Sequence, residues 1–235
     1  MCREGTGVKC DDCFSFVRAR KPDQIAQRRE SILAAMAALL TEEKPEQISL
    51  NEVARRAGVA KSNIYRYFDS REGILLELLR TDGLRWMELT EATLKPLHGS
   101  NDATAVAQAL ARTTAAETRM CQLINMAAGV LEQNVSEQAV IDFKQHSFVL
   151  LGRLVLALGQ ALPAATPDRL AGLMSLFVAL ISGLWPQSHP AELVRKALQQ
   201  PGLALMQVDF EEALGRGLEL MLRGVMVPAA ATDCR

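Results

Sequence analysis

From Pro22 onward the apolar residues recur at helical spacing. Ile25, Ile32, Leu33, Met36, Leu39 and Leu40 fall three, four or seven apart and predict a first helix ending near Glu42–Pro45. Ser49 stands three residues before Glu52, a capping box. Leu50, Val53, Ala54 and Ala57 follow as one stripe, and Gly58 is placed to end that helix in a left-handed turn. A further helix starting at Lys61 completes two short helices joined by a tight glycine turn, the helix-turn-helix pattern.

Beyond Ser70 the chain reads as helical almost throughout. Ser70, Glu72 and Gly73 open a helix through Ile74, Leu75, Leu78, Leu79, Trp86 and Leu89, and Pro96, Gly99 and Asn101 break the pattern. Helices are predicted over 103–117, 119–131, 136–162, 167–185 and 209–226, with a short one in "HPAELVRKALQQPG". The 136–162 segment is apolar nearly all round, which predicts burial on several sides. Pro163 and Pro186 are expected to end their helices. No alternating strand pattern and no repeat of fixed period occurs. The expected fold is all-α with about nine to ten helices. Residues 1–21, polar and without periodicity, are expected to be a flexible tail.

Composition changes this picture little. Of 235 residues, 49% are apolar, 23% charged and only 5% aromatic, which suits a soluble helical protein. The net charge is −1, yet residues 1–71 carry 13 basic and 10 acidic groups (+3) and residues 72–235 carry 13 and 17 (−4). The N-terminal part is thus the better candidate for a polyanion. No signal peptide is recognisable and no uninterrupted run of about 18 apolar residues occurs, so a cytoplasmic protein without a membrane partner is expected. Five cysteines without a secretion signal argue against a disulfide scaffold. Cys10 and Cys13 form a C-x-x-C near Cys2, but the nearest histidine is His98, so no metal or other cofactor is expected.

The stretch Gly58–Leu75, "GVAKSNIYRYFDSREGIL", carries candidate chemistry. With Lys61–Phe68 on a helix at about 100° per residue, Ile64 and Phe68 face inward. Ser62, Asn63 and Arg66 lie opposite, and Lys61, Tyr65 and Tyr67 stand on the flanks. Such a face suits the major groove. Arg66 is able to take a guanine, Asn63 an adenine, and Lys61 a guanine or a phosphate. The tyrosine hydroxyls and Arg71 are placed for phosphates, as are Ser49 and Asn51 at the start of the preceding helix. The competing reading of the same residues is a helical corner with a solvated polar face.

"ISLNEVARRAGVAKSNIYRYFDSREGIL" strongly resembles the N-terminal domain of TetR-family transcriptional regulators, a match covering about residues 23–75. The resemblance implies base contacts at Lys61, Ser62, Asn63 and Arg66, and phosphate contacts at Ser49, Asn51, Tyr65, Tyr67 and Arg71. Where the family often has Ser or Thr before the recognition helix, this chain has Ala60. The resemblance further implies a helix-turn-helix DNA-binding domain over 22–69 and an effector-binding and dimerisation domain over 70–235. The helices near 167–185 and 209–226 would pair with their mates in a homodimer. Its function would be that of a repressor on palindromic double-stranded DNA, released by a small-molecule effector.

Candidates for an effector site are Met120, Met126, Phe143, His146, Phe148, Phe177 and Trp185, with Asn125 among the polar markers, although ordinary core packing explains each as well. No G-x-S-x-G elbow, P-loop or H-E-x-x-H is present, and the protein is not expected to be an enzyme. The alternative is an all-α small-molecule-binding protein or enzyme whose helix-turn-helix does not bind DNA.

Overall fold

A computed structural model describes residues 22–227. The Cys2, Cys10 and Cys13 tail lies outside the described residues. Within them the chain is all-α, with no strand. Helix α1 (Pro22–Glu42) buries Ile32, Ala35, Met36 and Leu39 at three-to-four spacing. Ile25, expected on that stripe, is exposed, because the first turns of α1 run past the helices that cover the rest.

Helix α2 (Leu50–Ala57) begins as its capping box predicts, with Ser49 Oγ accepting from the Glu52 amide at 3.2 Å. It ends at Gly58 in the left-handed region (φ 65°), and the Val59 amide returns to the Ala54 carbonyl at 3.0 Å. Helix α3 is only Lys61–Ile64, shorter than the expected Lys61–Phe68. Ala60 is extended, as an N-cap must be, but offers no oxygen. A helix of one turn pays nearly the full nucleation cost, and the chain continues from Ile64 as tight turns. Tyr67 and Phe68 both donate amides to the Ile64 carbonyl, at 2.8 and 3.0 Å. Ile64 and Phe68 are buried as expected.

Helix α4 (Arg71–Leu94), capped by Ser70 Oγ on the Gly73 amide at 3.0 Å, is the spine. Its 24 residues run about 36 Å. The first turns pack on α1, and the remainder packs against α5 (Ala103–Ala116), α6 (Thr118–Met126) and α7 (Glu137–Ala161). Trp86 Nε1 donates to Thr114 Oγ1 at 3.2 Å, and Thr90 to Thr113 at 3.0 Å, fixing α4 on α5. Asp82 is completely buried. It accepts both Arg119 donors of α6, at 2.7 and 2.6 Å, while Arg85 bridges it to Glu117. A buried carboxylate persists only with such pairing.

The expected 119–131 helix is α only to Met126 and continues as a π turn over Ala127–Leu131. The expected 167–185 helix divides into α8 (Pro167–Gly172) and α9 (Met174–Ser188). Pro186 lies inside α9 rather than ending it. There Ser188 Oγ donates to the Leu184 and Trp185 carbonyls, and the His189 amide donates to that of Trp185. After α10 (Glu192–Ala197), α11 (Phe210–Met226) runs along α5 and α9, capped by Asp209 Oδ1 on the Glu212 amide at 2.8 Å.

Two surfaces depart from expectation. Helix α7 packs chiefly on α4 and α8, so Val149 and Leu156 face outward and Phe148 (80% exposed) stands at the rim of a cavity. The segment Pro167–Ser188 is apolar and long enough to cross a membrane by length and composition, yet only 33% of its apolar window is buried.

Candidate nucleic-acid interface and effector cavity

Around the helix-turn-helix the polar side chains divide into two sets. Arg55 pairs with Glu52 and Arg56 with Glu42, and those guanidiniums hold both carboxyls below the usual range. Arg71 is likewise occupied. It donates to the Ile48 carbonyl at 3.2 Å and the Pro45 and Glu46 carbonyls at 3.4 Å, and pairs with Glu72 at 2.6 Å. This ties the loop before α2 to the start of α4, so a phosphate contact by Arg71 would compete with an internal role.

The second set is free. Lys61, Ser62, Asn63, Tyr65 and Arg66 are exposed, Tyr65 by 53%, and make no side-chain hydrogen bond or ion pair among the described residues. Tyr67 is half-buried against the core. Asn51 is exposed on the first turn of α2, and Ser49, whose Oγ accepts from Glu52, keeps its hydroxyl proton to donate. The short α3 and the turn after it thus leave these polar groups exposed, seated by buried Ile64 and Phe68.

A second site lies deeper. A cavity of about 520 Å³ opens among α4, α6, α7 and α9. Of the residues expected there, Met120, Phe143, His146, Phe148 and Phe177 line it. Three do not. Asn125 is on the surface, Met126 is packed in the core, and Trp185 stacks on His189 (centroids 3.8 Å apart) and meets Phe210 edge-on. These three point away because α6 and α9 each turn only one face to the cavity. The sequence reading missed the contribution of α4, from which Leu79, Arg80, Gly83 and Trp86 form a wall. These have the periodicity of core positions on a long amphipathic helix, and the charge of Arg80 beside apolar Leu79 is the signal that could have found them. Trp86 stacks on Phe177 with centroids 5.9 Å apart. The π turn supplies Ala127 and Ala128 to the rim, and such turns recur at functional sites. Among the described residues no cluster of His, Cys, Asp or Glu suits a metal ion.

Comparison with known proteins agrees with this arrangement. A family model described as "Bacterial regulatory proteins, tetR family" matches residues 32–78, and one described as "Tetracyclin repressor-like, C-terminal domain" matches residues 80–229. The two meet inside α4. An uncharacterised HTH-type transcriptional regulator of Mycobacterium tuberculosis is 41% identical over 59 residues, which is 25% of this chain and 28% of that curated relative's length. Among solved structures, a TetR transcriptional regulator from Rhodococcus sp. RHA1 is similar in fold. Its TM-score is 0.56 at 18% identity, covering 89% of this chain and 100% of that one. A second transcriptional regulator from that organism gives 0.52 at 20% identity, covering 85% and 98%. With family matches running from the helix-turn-helix through α11, the chain belongs to the TetR family of bacterial transcriptional regulators.

Proposed function

We propose that this regulator is a repressor. It binds a palindromic operator as a homodimer and leaves it when a small molecule occupies the cavity. Residues 22–69 form the DNA-binding domain, and residues 70–235 form the effector and dimerisation domain. Cytoplasmic location follows from that role. The observation that carries the reading is the unpaired donor set of Lys61, Ser62, Asn63, Tyr65 and Arg66 beside basic neighbours that are already paired. Ser62, Asn63 and Arg66 read bases. Lys61, Tyr65, Tyr67, Ser49 and Asn51 hold the backbone, with Arg71 in reserve.

The dimer reading rests on α9 and α11. They pack on each other with Gly217 against Leu180, and both leave apolar residues outside, notably Leu176 and Leu220. An apolar face of this kind calls for a cover, and a two-fold dimer matches a palindrome. The effector acts by population shift, favouring a spacing of the recognition helices that misfits the operator. Coupling of this kind is reciprocal, so operator DNA weakens effector binding by the same factor.

The experiment is a measurement of operator affinity for two variants. Arg66→Ala is expected to weaken binding by about 1–3 kcal/mol and to relax specificity at one base pair. Tyr65→Phe is expected to weaken all sequences by a smaller, uniform amount. If both variants bind as the native protein does, the face is misassigned.

A further inference from the structure

Two of the cavity's polar side chains, Arg80 and His146, also line a neighbouring groove. Trp86, Phe177, Met120 and Leu150 make apolar wall, whereas Arg80 and His146 stand where the cavity meets a groove running along α4 to α1. Arg80 Nε donates to Glu77 at 2.9 Å, and Arg29 of α1 pairs with the same carboxylate at 2.9 Å. One carboxylate therefore serves two guanidiniums, which leaves one positive charge in excess within this triad, while Asp69 and Asp142 on the same groove accept from the Ser136 amide and from Gln138. Lys144, also on the cavity, does not alter the balance, since Glu132 holds it at 2.8 Å. His146 Nε2 is buried and without a hydrogen-bond partner among the described residues. Burial, and then the nearby Arg80 charge, hold this imidazole below its ordinary pKa, so it stands neutral in a positive field.

We propose that the cavity takes an amphipathic monoanion, a carboxylate on an apolar chain or ring, with its head on Arg80 and His146 and its body against Trp86 and Phe177. This rests on the reading of the cavity as the effector site. A carboxylate brings two acceptor oxygens to a site with a guanidinium donor and an unpartnered imidazole nitrogen, whose Nε2–H tautomer donates. It also brings the cluster to two carboxylates and two guanidiniums. An alcohol supplies no charge, and an ammonium is repelled.

The same contact reaches the DNA-binding end. The ligand competes with Glu77 for Arg80, and Glu77 then turns toward Arg29. The Arg29 guanidinium lies 5.1 Å over the ring of Phe68, which seats the turn after α3. The head group thus acts on the recognition element through Arg80, Glu77, Arg29 and Phe68.

The test is calorimetry on the full chain without DNA, using two matched sets: octanoate, octanol and octylammonium, and 4-phenylbutyrate, its alcohol and its amine. In at least one set the carboxylate is expected to bind about tenfold or more tightly than the alcohol, with the ammonium weaker still, as a charge-assisted contact implies. Arg80→Gln, with its helical circular dichroism retained, should abolish that preference, and His146→Ala should reduce it. An alcohol binding as well as its acid overturns the proposal. So does a preference that survives in Arg80→Gln, or no binding by any of the six at millimolar concentration. Because no DNA is present, failure of repression leaves the calorimetric order standing, and failure of this order leaves repression standing.

Discussion

Ala60 holds the extended backbone of an N-cap (φ −69°, ψ 143°) and has no side-chain acceptor for the amides of α3. A hydroxyl there would supply one. Ala60→Ser is therefore expected to stabilise the fold by about 0.5–1 kcal/mol and to tighten operator binding slightly through a more persistent α3. Denaturant titration together with fluorescence anisotropy checks both, and a serine variant no more stable than the native protein would mean that the helix end is solvated at no cost. Cys121 is the residue-scale counterpart in the core. Its thiol is buried, donates to the Thr114 carbonyl at 3.3 Å, and is pushed up to about 12, by burial first and by the Glu117 charge second. At pH 8 it is almost wholly thiol, so iodoacetamide should leave Cys121 unlabelled in the folded protein and label it in denaturant, as peptide mass spectrometry would register. The capping residues Ser49 and Ser70 were legible because each acts within three residues of itself. Arg71 was not. Its partners are the Pro45, Glu46 and Ile48 carbonyls, more than twenty positions back, and only the fold brings them near.

At the scale of elements, helix positions follow from periodicity and helix ends from their punctuation. Where punctuation and packing disagreed, packing decided. Pro186 reads as a stop, yet α9 passes through it because Trp185, one residue earlier, is anchored against Phe210 of α11. The apolar character of α7 predicted burial, but periodicity cannot tell a core-facing residue from one at a cavity rim or awaiting a partner, and Phe148 is such a case. The joint of α4 and α6 is held by charge. Removing Arg119 leaves Asp82 with Arg85 alone, so Arg119→Met is expected to cost about 3 kcal/mol in chemical denaturation. A loss within about 0.5 kcal/mol would mean that Arg85 alone satisfies the buried carboxylate. Helices α9 and α11 also expose apolar residues. Leu176→Glu with Leu220→Glu is expected to yield a folded monomer by light scattering with unchanged helicity, and a double variant that remains dimeric would move the interface elsewhere.

For the whole molecule, the division of labour is built on α4. Its first turns carry Arg71 against the segment before α2 and Glu77 against α1, and its later turns carry Arg80, Gly83 and Trp86 into the cavity wall. In the proposed function this helix, which touches both sites, is the element whose position the effector biases. The curated regulator is 41% identical over 59 residues, whereas the fold as a whole is shared with the solved regulators at under 25% identity. Five of the eight expected cavity residues come together, and the α4 wall was invisible because a cavity wall and a core face have the same periodicity. In the proposed function α3 and its flanks read a two-fold DNA site. The decisive measurement is selection of bound duplexes from a random pool by the full chain. Enrichment is expected for an inverted repeat whose half-sites lie on one face of the duplex, about one helical turn or a multiple apart, with Arg66→Ala losing preference at one symmetric pair of positions. Recovery of unenriched sequence, or of a repeat that Arg66→Ala selects equally well, would contradict it.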